Sequence, residues 1–436
     1  MSIIYTAPPR ARYATRVFHY TRGVRHRLFD VRPGEWRRAA LLFAFWFLVI
    51  AVFWVLKPVR TARFVHVAGV QSLPLVKLTV ALIVLPVVLL YSYASAHVRR
   101  GPLIYVCSGI FAGLCLLFRS VDPTHAGGAY ALFFFVDIYN TVMVALFWSY
   151  LNDTSTPDEA KRLYGVIGTG GILGGATGAS LTGFAVRSLG VGNLLFVCVA
   201  LLAGIVVLAA VLERDRPGGI ARSSDQAPGL RVALEGARLI ARSRYLRGIV
   251  AVVALYEIIS VLVDYQFNAA VAEHFASDET GFTSFTAKLN AALIAASAVF
   301  QFFATSWVQR RLGLLVALSI LPAALLGGSA LFLVLPTLAT ATIMFVGDGT
   351  FAYSVHQSSR EMLYTPETRE AKYRAKAFID MFAMRLAKGV SAGMIALCNA
   401  LAVAPRFLSL LSAAVLALWW LAIRRTAREF EARIAR

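Results

Sequence analysis

The amino-acid sequence predicts an all-α membrane protein with twelve transmembrane helices in two six-helix bundles. Three observations carry this reading. Of 436 residues, 58% are hydrophobic and only 15% are charged, whereas soluble chains run about 45–50% apolar and ~25% charged. Apolar runs of about 20 residues recur along almost the whole length, each long enough to cross a ~30 Å hydrocarbon core as a helix. Lipid offers a bare backbone no hydrogen bonds, so a spanning segment is a helix or part of a closed barrel. These runs far exceed the ~10-residue alternating strands of a barrel.

The first 38 residues hold nine arginines and no apolar run, and read as a basic cytoplasmic tail. Six spans follow near 39–58, 75–96, 102–118, 128–150, 164–187 and 191–212, forming a first bundle over 39–212. The stretch ERDRPGGIARSSDQAPG is polar and rich in turn formers, a linker by composition. After it, LRVALEGARLIARSRYLR is apolar on one helical face and arginine-rich on the other, which predicts an amphipathic helix on the inner leaflet within the 213–246 connection. Six more spans lie near 247–269, 284–306, 312–332, 335–357, 376–400 and 402–424, with a basic tail at 425–436. Basic loops alternate with short or acidic ones such as AEHFASDET. This is the positive-inside pattern of a multi-pass inner (plasma) membrane protein, and the even span count puts both termini in the cytoplasm. The same pattern accounts for the net charge of +20 without nucleic acid as a partner. Two six-span halves about a central loop is the layout of major-facilitator transporters, with the site at the interface near mid-membrane.

Cys107, Cys115, Cys198 and Cys398 all fall within apolar spans and read as small buried hydrophobes. There is no CxxC and no HExxH, so neither a metal, a cofactor nor an intramembrane enzyme is expected. The expected partners are lipid and a small anionic solute, met by a monomer.

A charge inside hydrocarbon costs about 2.5–3.5 kcal/mol on insertion scales and faces a cavity or a partner. The intramembrane ionisable residues are therefore the candidates. In WVLKPVRTARF, Lys57, Arg60 and Arg63 follow one another at helical spacing where span one should finish, and Pro58 interrupts the backbone ladder. Their chemistry suits an anion: guanidinium gives a fork to phosphate or carboxylate, ammonium a point charge. Snorkelling to an interface is the competing role. In span seven, Glu257, Asp264 and Asn268 form one stripe, able to balance site cations, hold a proton or keep helices paired. Span eleven carries Arg385 and Lys388 well inside, and an i, i+4 pair of Lys376 and Asp380 near its cytoplasmic end. In FVGDGTF, Gly347 and Gly349 flank Asp348, a pointer either to a broken span or to a satisfied kink; Asp137 of span four has similar weight. Span five, GVIGTGGILGGATGASLTG, sets Gly170, Gly171, Gly174, Gly175 and Gly178 at overlapping GxxxG spacings, a helix-packing face rather than a phosphate loop.

The segment FWSYLNDTSTPDEAKRLYGVIGTGG closely resembles the connection between spans four and five in the ATP/ADP antiporter family and its free-living bacterial relatives within the major facilitator superfamily. LKPVRTA, LVDYQF and KYRAKAFIDMFAMRLAKG resemble that family's spans one, seven and eleven, so the resemblance covers roughly 37–425. It implies a rocker-switch carrier without enzymatic activity. It also implies that Lys57, Asp264 and Lys388 match the lysine, acid and lysine associated with nucleotide transport there. Thr61 departs from the Asp often found at its position, and Asp264 is shorter than the usual Glu. The expected function is alternating-access exchange of nucleotides of the ATP/ADP type. A proton-coupled carrier of another organic anion or phosphorylated metabolite is the alternative within the same class, and a non-transporting sensor or scaffold on a carrier fold the alternative outside it.

Overall fold

The computed structural model describes residues 32–122, 124–215 and 230–434, so most of the basic tail and the linker's polar part lie outside the described residues. Among the described residues the regular structure is helical throughout. The first bundle comprises α1 (Trp36–Ala68), α2 (Leu73–His97), α3 (Arg100–Ser120), α4 (Ala126–Thr154), α5 (Pro157–Leu189) and α6 (Leu194–Asp215). The connecting helix α7 (Leu230–Arg242) precedes α8 (Arg244–His274), α9 (Glu279–Phe300) and α10 (Gly313–Val334). Then come α11 (Leu338–Phe351), α12 (Met384–Ala400) and α13 (Leu408–Ile434). α9 runs on through a π-helical turn, Gln301–Thr305, into Ser306–Arg311. α11 does so through Ala352–His356 into Gln357–Met362, and α12 is preceded by Arg369–Phe378 and a π turn at Ile379–Ala383.

Nine of the described helices are long and apolar enough to cross a membrane on length and composition. The glycine-rich α5 and the π-interrupted rods around α11 and α12 complete two sets of six. Each set has its own hydrophobic core, one built on Phe45, Tyr139 and Phe147, the other on Leu262, Leu318 and Trp419. The second core also takes in Ala62, Phe64 and Val65 of α1 and Leu73 and Val76 of α2, so the two bundles are pressed together at that end. Arg37 pairs with Asp215 at 2.9 Å and Arg244 with Glu429 at 3.2 Å, which puts the start and finish of each bundle at one end. We call this the terminal side and the opposite end the distal side.

Local sequence sets these boundaries. The segment TSTPDEA starts α5 because Thr156 Oγ1 accepts the Glu159 amide while Glu159 accepts the Thr156 amide at 2.9 Å, a capping box followed by Pro157 at the first helical position. Asp278 caps α9 by accepting the Gly281 amide at 2.7 Å. Gly69 and Gly190 end α1 and α5 at φ +78° and +80°, a backbone region that disfavours side chains. On the terminal side, Arg38 meets Glu159 at 3.1 Å and Arg162 meets Glu35 at 2.5 Å. The Arg162 hydrogen bond holds the Glu35 carboxyl below its ordinary value.

Two expectations change here. Span one does not finish near 58: Pro58 lies inside a continuous helix that runs to Ala68. Proline costs one backbone hydrogen bond, which a packed transmembrane helix tolerates. The connecting helix also does not rest on lipid alone. Its Gly236 abuts the Arg374 carbonyl so closely that a Cβ would sit 2.1 Å from that oxygen, and Glu235 pairs with Arg374 at 3.3 Å.

The glycine face of α5 lies against α1 in parallel register. A Cβ built at Gly170, Gly174 or Gly178 would sit 2.7, 2.2 or 2.4 Å from the carbonyl oxygens of Phe43, Phe47 and Ala51 respectively. Gly171 and Gly175 abut the Trp46 and Trp54 indoles, and Gly175 also meets Ile294 of α9. Further along, Ser284 of α9 donates to the Gly183 carbonyl at 2.7 Å. α5 is therefore wedged between its own bundle and the other. The four cysteines are unbridged, with Cys115 and Cys198 fully buried.

Candidate functional site

Lys57 is placed by the continuation of α1. Eleven residues separate it from Ala68, about 16 Å at 1.5 Å per residue, too far for its side chain to reach the distal interface. It instead faces a cavity of about 490 Å³ between the bundles, within the ~300–1,000 Å³ range of small-molecule sites. The first bundle contributes Lys57, Arg60, Thr61, Lys77 and Asp137 to its lining; the second contributes Glu257, Asp264, Asn268, Asn290, Arg360 and Lys388.

Five cations and three carboxylates line the cavity, a formal excess of two positive charges. Each carboxylate has a cation. Asp137 pairs with Arg60, whose guanidinium also donates to the Phe133 carbonyl at 3.3 Å and covers the Phe133 ring at 4.4 Å. Asp264 pairs with Lys77, a contact that crosses between the bundles. Glu257, only 8% exposed at its side chain, lies 3.4 Å from Lys388, which is 53% exposed. Two cations are left over. The Lys57 ammonium rests 4.3 Å above the Trp54 ring, and Arg360 donates to Gln357 at 2.8 Å. Among the described residues neither has a carboxylate at ion-pair distance.

The predicted site residues separate into those that meet and those that do not. Lys57, Arg60, Lys388, Glu257, Asp264, Asn268 and Asp137 converge on the cavity. Asn268 also donates to the Asp264 carbonyl at 2.7 Å. Arg63 does not: it pairs with Glu279 at 3.1 Å across the distal end of the bundles, where Asn399 also reaches the Gln71 carbonyl at 3.4 Å. Arg385 is not part of the lining although Lys388 is. The expected Lys376–Asp380 pair is absent; Lys376 meets Glu361 at 2.5 Å, and Asp380 is exposed. The π turn beginning at Ile379 changes the angular step, so i, i+4 no longer shares a face. Asp348 sits on uninterrupted helix, buried, and accepts from Ser260 at 3.1 Å. The irregularity begins just after it, at Ala352. Of its flanking glycines, Gly349 is crowded by Leu293 and Gly347 has open space.

Lys77 and Arg360 were not among the predicted residues. Lys77 is an ionisable residue in the apolar LPLVKLTV stretch, so the cost of an intramembrane charge could have flagged it. Arg360 was hidden because its helix extends past the apolar run into what reads as a loop.

The distal ion pair is a latch between the bundles. Glu279→Gln should loosen it, leaving a buried guanidinium short of a partner. The expected outcome is a several-fold faster reaction of a cysteine placed at Thr61 with an impermeant thiol reagent added from the distal side, in a background without native cysteines. An unchanged rate would remove the latch.

Two six-helix halves with a charged cavity at their junction is the architecture of major-facilitator-type transporters. Solved structures with this arrangement include the nucleoside transporter NupG (D323A mutant), with TM-score 0.64 and 14% identity over 91% of this chain and 99% of that one. The POT family transporter PepTSo gives 0.65 and 12% over 91% and 98%. The human organic anion transporter MFSD10 (TETRAN) gives 0.59 and 15% over 90% and 100%. The sequence profile of the TLC ATP/ADP transporter family matches residues 128–350 and 342–430. The chain belongs to that family, and is a transporter rather than an enzyme. Among curated relatives, ADP,ATP carrier protein 1 of Chlamydia pneumoniae is 21% identical over 350 residues, 70% of this chain and 68% of the relative. The protein of the same description from Chlamydia trachomatis serovar D is 23% identical over 340 residues, 66% of this chain and 63% of the relative. About a third of each relative thus has no counterpart in the match.

Proposed function

We propose that this chain is an alternating-access carrier of an anionic solute, with exchange of nucleotides of the ATP/ADP type as its activity. The observation that carries the reading is the uncompensated charge in the cavity: every lining carboxylate has a cation, and Lys57 of one bundle and Arg360 of the other remain. Two cations without carboxylate partners inside a membrane-spanning bundle are costly until an anion joins them. A scaffold gains nothing from them. The relatives named as ADP,ATP carrier proteins favour ADP and ATP over other anions of the same charge.

The geometry suggests how binding moves the halves. Lys77 of the first bundle holds Asp264 of the second, and Arg63 holds Glu279 on the distal side. A polyanion arriving from the terminal side competes with Asp264 for Lys77 and with Glu257 for Lys388. Its charge then replaces the carboxylates as the link between bundles, which frees the distal contacts to part. Orientation follows the positive-inside pattern: terminal side cytoplasmic, distal side outward, in the inner membrane, each monomer a complete carrier.

The test is reconstitution of the full chain in liposomes loaded with ADP, with uptake of labelled ATP measured beside a panel of organic anions. ADP-dependent ATP uptake is the expected result; none with any nucleotide would overturn the substrate. Lys57→Gln and Arg360→Gln should each raise KM about 10–100-fold, since a charged contact is worth ~1.5–3 kcal/mol. A change in kcat alone would place these cations outside the binding step.

A further inference from the structure

Beside the large cavity lies a smaller hollow of about 90 Å³, opening past Lys57 and Tyr353, which line both. Its wall includes Asp348 of α11, 7% exposed. One carboxyl oxygen accepts from Ser260 at 3.1 Å; the other, Oδ1, is buried without a hydrogen-bond partner. Asn290 of α9, 5% exposed, lines the same hollow, and its side-chain oxygen is also buried and unpartnered. Both orphan atoms are acceptors.

A bare carboxylate oxygen in hydrocarbon is costly. A proton on Oδ1 removes the charge and turns an acceptor into a donor. A metal ion fits less well, because it needs several oxygen ligands and the Lys57 ammonium borders the same space. The remaining ionisable groups around Asp348 are Tyr256 and Asp264 of α8, the latter held by Lys77, and Tyr353 of its own rod. Glu257 of α8 lines only the large cavity and is held by Lys388. α10, packed on α11, has no ionisable residue along Gly313–Val334.

We propose that Asp348 is a proton-binding site, loaded from water in the large cavity, that couples proton movement to anion transport; this rests on the carrier reading above. The step is simple. An O–H bond forms at Oδ1 with a proton from water on one side and breaks when the proton passes to water on the other. Lys57 supplies the coupling, because it borders both spaces. A bound anion and an ionised Asp348 compete for the same ammonium, so anion and proton each favour the binding of the other, by the same factor.

Two measurements on the full chain test this. Infrared difference spectra between alkaline and acid buffer should contain the carbonyl stretch of a newly protonated carboxyl that Asp348→Asn lacks and Asp348→Glu regains. In proteoliposomes without internal nucleotide, where uptake is net rather than exchange, an inward pH gradient should raise steady-state ADP uptake by up to ~tenfold per unit of pH, the limit for one coupled proton, with no response in Asp348→Asn. A spectrum unchanged by Asp348→Asn, or ADP uptake by the unmodified protein that ignores the gradient, overturns the proposal. If the chain moves no ADP at all, the nucleotide reading fails by itself, and the infrared band still decides whether Asp348 takes a proton.

Discussion

Arg60→Ala should reduce transport at least ~30-fold and destabilise the protein by about 3–5 kcal/mol. Arg60 is 8% exposed, paired with Asp137, bonded to the Phe133 carbonyl and stacked on the Phe133 ring. Its removal takes away the ion-pair partner of the Asp137 carboxylate, and breaking one side of a largely buried pair carries that cost. The transport loss follows from a missing cation in the cavity, ~2–5 kcal/mol for a desolvated charge contact. The two effects are separable. Arg60→Gln with Asp137→Asn leaves no stranded charge, so thermal unfolding in detergent should return towards that of the unmodified protein while labelled-nucleotide uptake stays low. Uptake recovering along with stability would mean that Arg60 only holds α1 to α4.

Gly174→Val should prevent α1 and α5 from closing. The first added carbon would sit 2.2 Å from the Phe47 carbonyl oxygen and 2.9 Å from the Phe47 Cα, a collision with backbone that no rotamer change relieves. Overpacking by a single methylene costs about 1–3 kcal/mol, and here two helices must separate along their length. The expected result is poor yield of folded protein and a large drop in unfolding temperature. Gly347→Ala is the matched control: nothing lies within 4 Å of its built Cβ, so the gain in helix propensity, up to ~1 kcal/mol, should show instead. Equal effects at both positions would show that the tight approach of α1 and α5 is not needed.

Much of this was legible in the sequence because hydrocarbon is an unforgiving solvent. Length and apolarity place the spans, and the rarity of intramembrane charge picks out Lys57, Glu257, Asp264 and Lys388 before any geometry is known. What failed depended on neighbours. Arg63 and Arg60 share a helix face by spacing, yet one meets Glu279 from another bundle and the other meets Asp137; periodicity cannot see a partner 216 residues away. Lys376 and Asp380 obey the α-helical rule on paper, and a π turn cancels it. Lys77 escaped because it lies near the start of its span, where snorkelling explains a lysine equally well. Span one runs past Pro58 to Ala68, beyond its apolar run, because Arg60 meets Asp137 and Arg63 meets Glu279 rather than bulk water.

The three longest rods, α1, α5 and α9 with its continuation to Arg311, each have 33 residues, some 50 Å of helix, and they pack side by side where the halves meet. Such rods stand well proud of a ~30 Å hydrocarbon slab. In the alternating-access cycle proposed above they would act as levers pivoting about the wedged glycine face of α5. In that cycle a solute that shifted charges by about an ångström near the pivot would swing the protruding tips through several times that distance. Large mouth movements at either end then need only a small adjustment at the centre.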